Sequence, residues 1–249
     1  MKEEIPYFLK NPGRIPKWVL GETKKLIRAN LSSEYDSYKV NNDTEIEDFI
    51  NDLDRSLKDK FQVTDGVTGK IGKKDAVNLY RFIREEKPEK VVETGVCNGY
   101  STAVILRALD DNDSGELYSI DLPDFGEDDD RIWDEKGGWV IPSSEEPGWL
   151  VNDSLRDRWE LILGNSNEKL PQLLSNLSKI DVFIHDSEHS YQTMMLEYCV
   201  AWRYLKKDGK LVSDDISSNK AFEQFSSAQD ADKKLLGNLG LIEKKETRS

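Results

Sequence analysis

Cysteine and histidine are scarce in this chain of 249 residues, which contains two of each. The cysteines, Cys97 and Cys199, are too few for a disulfide framework, and this favours a reducing compartment, so we expect a cytoplasmic protein. Long apolar runs are also missing, since none approaches the roughly 20 residues that span a bilayer. The first residues lack the apolar stretch of a secretory signal.

Positive charge is in deficit, because 35 Lys and Arg residues stand against 48 Asp and Glu residues, for a net charge of -13. A surface this acidic repels phosphate backbones and anionic lipids, so neither nucleic acid nor a membrane is an expected partner. The length suffices for a full hydrophobic core, and one large domain with an appendage is expected.

Short apolar runs alternate with helical patterns after residue 90. The predicted strands are Val91–Glu93, Leu117–Asp121, Leu161–Leu163, Val182–His185 and Lys210–Ser213, and residues 235–244 have room for one or two more. This alternation predicts βαβ units, and therefore an α/β fold with a doubly wound, mostly parallel sheet. In such sheets, ligands bind beyond the carboxyl ends of the strands.

Two helical patterns precede the first strand. Residues 44–61 have apolar side chains at three- and four-residue spacing, with Thr44 as the expected N-cap, and residues 74–86 form a second helix. They predict an N-terminal helical extension after an irregular arm. An amphipathic helix ahead of the core also leaves a homodimer open.

The first strand runs into a glycine-containing turn, VVETGVCNGYST, at residues 91–102. Gly95 and Gly99 let the backbone turn tightly and approach a ligand closely. A dinucleotide-binding loop would have a middle glycine where Cys97 stands, and the acidic Glu93 suits an amine-bearing ligand better than pyrophosphate. An ordinary strand-to-helix turn remains the alternative.

Polar residues also end the second and third predicted strands. Asp121 is placed to accept hydrogen bonds from both hydroxyls of a ribose, although a helix cap or a solvated turn acid remains open. Ser166 and Asn167 follow the third strand, where small polar side chains can meet an adenine edge or simply form a turn.

Taken together, residues 93–101 (ETGVCNGYS), Asp121 and the Gly164-x-Ser166 pair resemble class I S-adenosylmethionine-dependent methyltransferases. The resemblance is closest to the metal-dependent O-methyltransferases of the catechol and caffeoyl-CoA type. The strings HDSEHSY at 185–191 and GKLVSDD at 209–215 resemble their relatives that act on the sugars of macrolides and glycans. The likeness covers residues 70 to 220.

This resemblance implies S-adenosylmethionine as the methyl donor, with Glu93 at its methionyl end or ribose side and Asp121 at its ribose. The implied donor-binding residues are Glu93, Gly95, Gly99, Tyr100, Ser101, Asp121, Ser166 and Asn167. The implied ligands of a divalent metal are Asp186, Asp214 and Asp215, the last often asparagine in the catechol branch. The implied division is an arm and helical extension at 1–70 and a methyltransferase domain at 71–249.

The acids at the ends of the fourth and fifth strands support a cation site on independent grounds. Adjacent parallel strands deliver Asp186, Asp214 and Asp215 to one rim, and clustered carboxylates repel each other unless a cation neutralises them. Such an all-oxygen set suits Mg²⁺, which lowers the pKa of a bound hydroxyl. His189 and Asp186 are the predicted catalytic residues, with His189 as the base. Two alternatives remain open. His189 caps the following helix in the first, and in the second Asp214 and Asp215 are turn acids and the enzyme is metal-independent.

The predicted function is metal-assisted O-methylation of a small hydroxylated acceptor, such as a sugar or sugar conjugate. The long segment 124–157 contains Trp133, Trp139 and Trp149 and is interpreted as a lid-like insertion over the acceptor, or a dimer contact. An NAD-dependent oxidoreductase and a non-catalytic nucleoside-binding module are the alternatives. The missing middle glycine and the acid before Gly95 argue against the oxidoreductase.

Overall fold

The computed structural model describes residues 43–61, 70–122, 141 and 145–245. The N-terminal arm before residue 43, and Trp133 and Trp139 of the insertion, lie outside the described residues. The helices are α1 (Asp43–Phe61), α2 (Lys73–Glu86), α3 (Tyr100–Asp111), α4 (Ser166–Leu177), α5 (Tyr191–Tyr204) and α6 (Ala221–Ala228). The strands are β1 (Lys90–Thr94), β2 (Glu116–Asp121), β3 (Trp159–Leu163), β4 (Ile180–His185), β5 (Leu205–Ser213), β6 (Lys234–Leu236) and β7 (Leu239–Glu243).

The sheet has seven strands in the order β3-β2-β1-β4-β5-β7-β6. The first five strands are parallel, whereas β7 runs antiparallel to β5 and β6. The chain leaves β1 toward β2 and β3, then returns to the other side of β1 with β4. A crevice therefore opens between the carboxyl ends of β1 and β4, which is where ligands bind in open α/β sheets. The predicted doubly wound α/β fold is confirmed.

Successive side chains of each strand enter opposite hydrophobic cores, as the two-residue period of a strand requires. On β1, Val91 packs with the buried faces of α1, α2 and α3, while Val92 packs with α4, α5 and α6. Both valines are fully buried. The helices cover both faces, and the polar groups that end the strands are left at the rim.

Helix α1 shares a core with α2 and α3, to which it contributes Ile46, Ile50, Leu53 and Leu57. It begins at Asp43, so Thr44 lies within its first turn and is not the N-cap that the sequence predicts. No helix in the described ranges combines the length and the hydropathy needed to cross a bilayer.

Helix α4 begins at Ser166, earlier than Leu170, where the apolar pattern of this segment starts in the sequence. Asn165 caps it, because its side chain accepts a hydrogen bond from the backbone N–H of Asn167. Ser166 and Asn167 therefore lie in the first turn of a helix and not in the predicted loop. Strand β5 also begins earlier, at Leu205, which pairs with Ile180 before the register shifts.

Candidate functional site

The glycine turn after β1 lies directly against the loop after β4. Gly95 has a φ of 88°, and a Cβ atom at this residue would lie 2.0 Å from the carbonyl oxygen of Asp186. The backbone N–H of Asp186 in turn donates to the oxygen of Thr94 at 2.8 Å. Glycine is therefore required at 95 by the close approach of these two backbones, which brings Asp186 beside the turn.

The second glycine of the turn contacts the end of the insertion. Gly99 has a φ of 89°, and a Cβ there would lie 2.7 Å from the Cα of Gly148. The N–H of Gly148 donates to the oxygen of Cys97 at 2.8 Å, and the indole N–H of Trp149 donates to Oδ1 of the buried Asn98 at 2.7 Å. The described end of the insertion thus packs against the outer side of the turn.

Glu93 lies beneath the turn and has no exposed surface. Its carboxylate accepts hydrogen bonds of 2.8 Å from the hydroxyls of Ser101, Thr102 and Ser119. Burial raises the pKa of Glu93 to about 7, although the three hydroxyls act in the opposite direction. The carboxylate thus ties β1 and β2 to the first turn of α3. Its predicted contact with the donor stays a prediction.

Tyr100 and Ser101 also have inward-facing side chains, with exposures of 1% and 6%. The Tyr100 hydroxyl donates to Asp54 of α1 at 3.1 Å, and Ser101 bonds Glu93. These residues hold the start of α3 in place. Their predicted role as donor-binding residues stays a prediction.

We predict that Glu93→Gln changes how stability depends on pH. Because the folded pKa of about 7 exceeds the ordinary 4.5, the folded state holds a proton that the unfolded state has lost. The stability contributed by this group is complete below the ordinary pKa and decreases as pH rises to about 7, by up to about 3 kcal/mol. Urea unfolding at about pH 5 and pH 8 should show this decrease in the wild type and a smaller one in the variant. Equal decreases would refute the assignment.

Asp121 ends β2, next to β1, and contacts the glycine turn directly. Its Oδ2 accepts from the N–H of Cys97 at 2.7 Å, and its Oδ1 accepts from the N–H of Leu122 at 2.8 Å. Burial raises the pKa of Asp121, while these backbone donors lower it. Each carboxylate oxygen can accept a further hydrogen bond. Ser166 and Asn167 follow the neighbouring strand β3 at the same rim.

The structure gathers three chemically active side chains at the ends of β4 and β5. One ligand atom from each of Asp186, His189 and Asp214 lies within 4.8 Å of the other two. The sequence predicted Asp215 as the third member of this group. Its Oδ2 lies 3.9 Å from Nδ1 of His189, but the chain turns there with a φ of 46° and leaves the side chain 48% exposed. His189 joins the two aspartates in this group, and the role of Asp215 as a metal ligand stays a prediction.

Burial, together with the crowding of the carboxylates, sets the protonation of this cluster. Burial, and then the charges of Asp214 and Glu93, hold the pKa of Asp186 well above its usual range. Burial also raises the pKa of Asp214, whereas burial and the neighbouring His185 lower the pKa of His189. His189 is therefore a neutral imidazole near pH 7. Its Nε2 is buried with no hydrogen-bond partner among the described residues, and lies 3.8 Å from Oδ1 of Asp186.

A buried polar network behind the cluster escaped the sequence interpretation. Glu197 of α5 accepts hydrogen bonds from Thr94, His185 and Ser187, and both Glu197 and His185 are fully buried. A glutamate among apolar helix residues carries no distinctive spacing signal. Only the packing of α5 on β4 reveals it.

Comparisons with known proteins bear on the family and the fold of this chain. A family model described as a methyltransferase domain matches residues 92–216, half of the chain. The chain belongs to this family. Its fold is that of the class I S-adenosylmethionine-dependent methyltransferases, and membership of a methyltransferase family argues against the oxidoreductase alternative. No curated protein sequence matches the chain significantly.

Several solved structures share the fold over nearly the whole chain. An O-methyltransferase from Bacillus cereus in complex with SAH has a TM-score of 0.52 at 14% identity, covering 89% of this chain and 97% of that one. The SAH-bound Podospora anserina methyltransferase PaMTH1 has a TM-score of 0.52 at 14% identity, covering 90% and 96%. The O-methyltransferase TomG from Streptomyces achromogenes, involved in tomaymycin synthesis and bound to SAM, has a TM-score of 0.52 at 11% identity, covering 93% and 100%.

Proposed function

We propose that this protein is a metal-assisted O-methyltransferase that acts on a small hydroxylated acceptor, such as a sugar or sugar conjugate. The observation that carries the proposal is the group of Asp186, His189 and Asp214, whose ligand atoms lie within 4.8 Å of one another. This group stands beside the glycine turn at the crevice between β1 and β4. We therefore propose that the methyl donor and the acceptor bind in one cleft of the domain at 71–249.

The donor half of the cleft suits S-adenosylmethionine. Asp121 keeps acceptor capacity for ribose hydroxyls, and the backbone of the Gly95–Gly99 turn gives room for the methionyl part. Leu122 directly follows β2, and Leu163 ends the neighbouring strand β3. Their exposures of 38% and 43% are large for apolar side chains. They offer an apolar surface for the adenine, next to Ser166 and Asn167.

The acidic half of the cleft fits a divalent cation. Burial raises the pKa of both Asp186 and Asp214, so their ionised forms are stabilised when a cation lies between them. The buried Nε2 of His189 also has no partner among the described residues. Oxygen ligands favour Mg²⁺. Asp186 and Asp214 are the proposed ligands on the buried side of the cation. Asp215 is the proposed third ligand on the solvent side, because its exposed side chain can turn toward the group. A bound Mg²⁺ supplies Lewis acidity, which lowers the pKa of a coordinated acceptor hydroxyl.

His189 is proposed as the base that removes the acceptor proton. Its lowered pKa keeps the imidazole neutral, so it can accept a proton at the orphaned Nε2. The carboxylate of Asp215, 3.9 Å from Nδ1, is placed to stabilise the imidazolium that forms. General base catalysis of this kind contributes about 10²–10⁴-fold. The sulfonium donor is already activated, so alignment and deprotonation are the remaining tasks.

Calorimetry with S-adenosylhomocysteine (SAH) and with NAD, each with and without Mg²⁺, tests the proposed class of ligand. We expect SAH to bind, NAD to bind at least about 100-fold more weakly, and Mg²⁺ to bind the protein in both series. Release of SAH from S-adenosylmethionine with a panel of sugars and catechols then tests turnover. Binding of SAH with no turnover, and no Mg²⁺ binding, would support a non-catalytic module.

The variant His189→Gln separates the base from a metal ligand. For a base, kcat should fall about 10²–10⁴-fold, while the affinity for Mn²⁺ changes little. Methyl transfer and Mn²⁺ titration are measured side by side, with Tyr191→Phe as a control at the start of α5. A loss of Mn²⁺ affinity that parallels the loss of kcat would instead make His189 a ligand.

A further inference from the structure

Glu197 lies in the middle of α5, where its carboxylate is buried at the junction of three segments. Its Oε2 accepts from the hydroxyl of Thr94 at 2.6 Å and pairs with Nδ1 of His185 at 2.6 Å. Its Oε1 accepts from the hydroxyl of Ser187 at 2.8 Å. Thr94 ends β1, His185 ends β4, and Ser187 begins the following loop. One side chain therefore joins both strands that border the crevice.

A charge in this position is costly unless it is well paired. Removing a carboxylate from water costs several kcal/mol, and hydrogen bonds to the charged form must offset that cost. Burial acts to raise the pKa of Glu197, but the hydrogen bond and charge of His185, together with hydrogen bonds from Ser166 and Thr94, lower this pKa below its ordinary value. The hydrogen-bond donors thus stabilise the ionised carboxylate, and the carboxylate in turn restrains the positions of those donors.

The residues that Glu197 binds are the neighbours of the active groups. His185 and Ser187 flank Asp186 on both sides, and Thr94 immediately precedes Gly95. The N–H of Asp186 donates to the oxygen of Thr94, and the backbone of Gly95 lies against Asp186. Any rotation of the loop after β4 would break bonds to Glu197. We propose that Glu197 is a positioning residue, which fixes Asp186 relative to the donor-binding turn.

This inference rests on the proposed function for its cation readout, and on the geometry alone for its backbone readout. Outer residues that orient ligands typically change metal affinity by about 10–100-fold when mutated. We therefore expect Glu197→Gln to weaken Mn²⁺ binding by about 10–100-fold. Glutamine keeps the shape but removes the charge that pairs with His185, and it can stay bonded to Ser187 only if that hydroxyl turns from donor to acceptor.

The test uses full-length wild type, Glu197→Gln, Glu197→Asp and Thr193→Val. Thr193 is a matched control, because it is buried on the same helix and bonds Glu188 and Ser190 without touching the Glu197 network. Mn²⁺ affinity, SAH affinity and hydrogen exchange of the Asp186 amide are measured for each. We expect Glu197→Gln to lower Mn²⁺ affinity and speed this exchange, Glu197→Asp to restore part of both, and Thr193→Val to leave both unchanged.

Two outcomes separate this inference from the proposed function. If wild type binds no Mn²⁺, the metal proposal fails, and the exchange of the Asp186 amide still decides the role of Glu197. If Glu197→Gln, like Thr193→Val, leaves the hydrogen exchange of the Asp186 amide unchanged and changes only the overall stability, the positioning role is overturned. Equal loss in the glutamine and aspartate variants would also contradict it, since the charge is then irrelevant.

Discussion

Replacing Asp186 by asparagine should lower methyl transfer by at least about 100-fold, as expected when a ligand to a catalytic cation is lost, and should stabilise the metal-free protein. Burial and the charges around Asp186 raise its pKa, so its ionised form is unfavourable in the fold. The stability it contributes is complete below the ordinary pKa of an aspartate and is lost as pH rises through the folded pKa. The neutral amide avoids that loss. Each kcal/mol recovered raises the midpoint of thermal unfolding by about 2–4 °C.

Asp157→Asn is the matched control for Asp186→Asn, because Asp157 is exposed and its loss also removes one negative charge. Thermal unfolding in a chelator, methyl transfer and SAH affinity are compared for both variants. We expect SAH affinity to stay within about threefold of wild type in Asp186→Asn, about 0.7 kcal/mol. Destabilisation by Asp186→Asn, or turnover that survives both this change and a chelator, would contradict the account.

Replacing Gly95 by alanine should damage both the fold and donor binding. The residue has a φ of 88°, and the new Cβ would lie 2.0 Å from the carbonyl oxygen of Asp186. Strain in the left-handed region and displacement of the Asp186 loop together should cost about 3 kcal/mol or more. SAH affinity should fall by at least about tenfold, which corresponds to about 1.4 kcal/mol.

Gly115→Ala is the control for strain alone. Gly115 has a φ of 92°, and a Cβ there would lie 2.3 Å from the oxygen of Pro88, at the opposite end of the sheet from the crevice. Both variants should lose stability in urea unfolding, but only Gly95→Ala should lose SAH affinity under conditions where both are folded. An equal effect of the two variants on SAH affinity would remove the turn from the donor site.

The fold could be predicted from the sequence because the central parallel strands, β1 and β4, are short apolar runs that are buried on both faces. Val91 and Val92 are both fully buried and lie on opposite faces of the sheet, so the sequence of the strand is a continuous apolar run and not an alternating one. Element boundaries were harder to predict. The polar first turn of α4 and Pro171 inside it hide the start of that helix, and the cap at Asn165 becomes visible only in three dimensions.

The candidate site could be predicted where polar residues directly follow strands. Asp186 and Asp214 were placed together on that basis, and the structure brings their ligand atoms within 4.8 Å. The hydrogen-bond partners of the buried Glu93 could not be predicted from the sequence, because the three hydroxyls around its carboxylate come from β2 and α3. Glu197 was missed for the same reason, since contacts between distant segments leave no local pattern.

Anomalous diffraction from a crystal soaked with Mn²⁺ and SAH tests the central claim most directly, which is that donor and cation share the crevice between β1 and β4. The account predicts an anomalous peak between the carboxylates of Asp186 and Asp214, with SAH lying along the Gly95–Gly99 turn and its ribose at Asp121. A peak elsewhere, or SAH bound away from this turn, would contradict it.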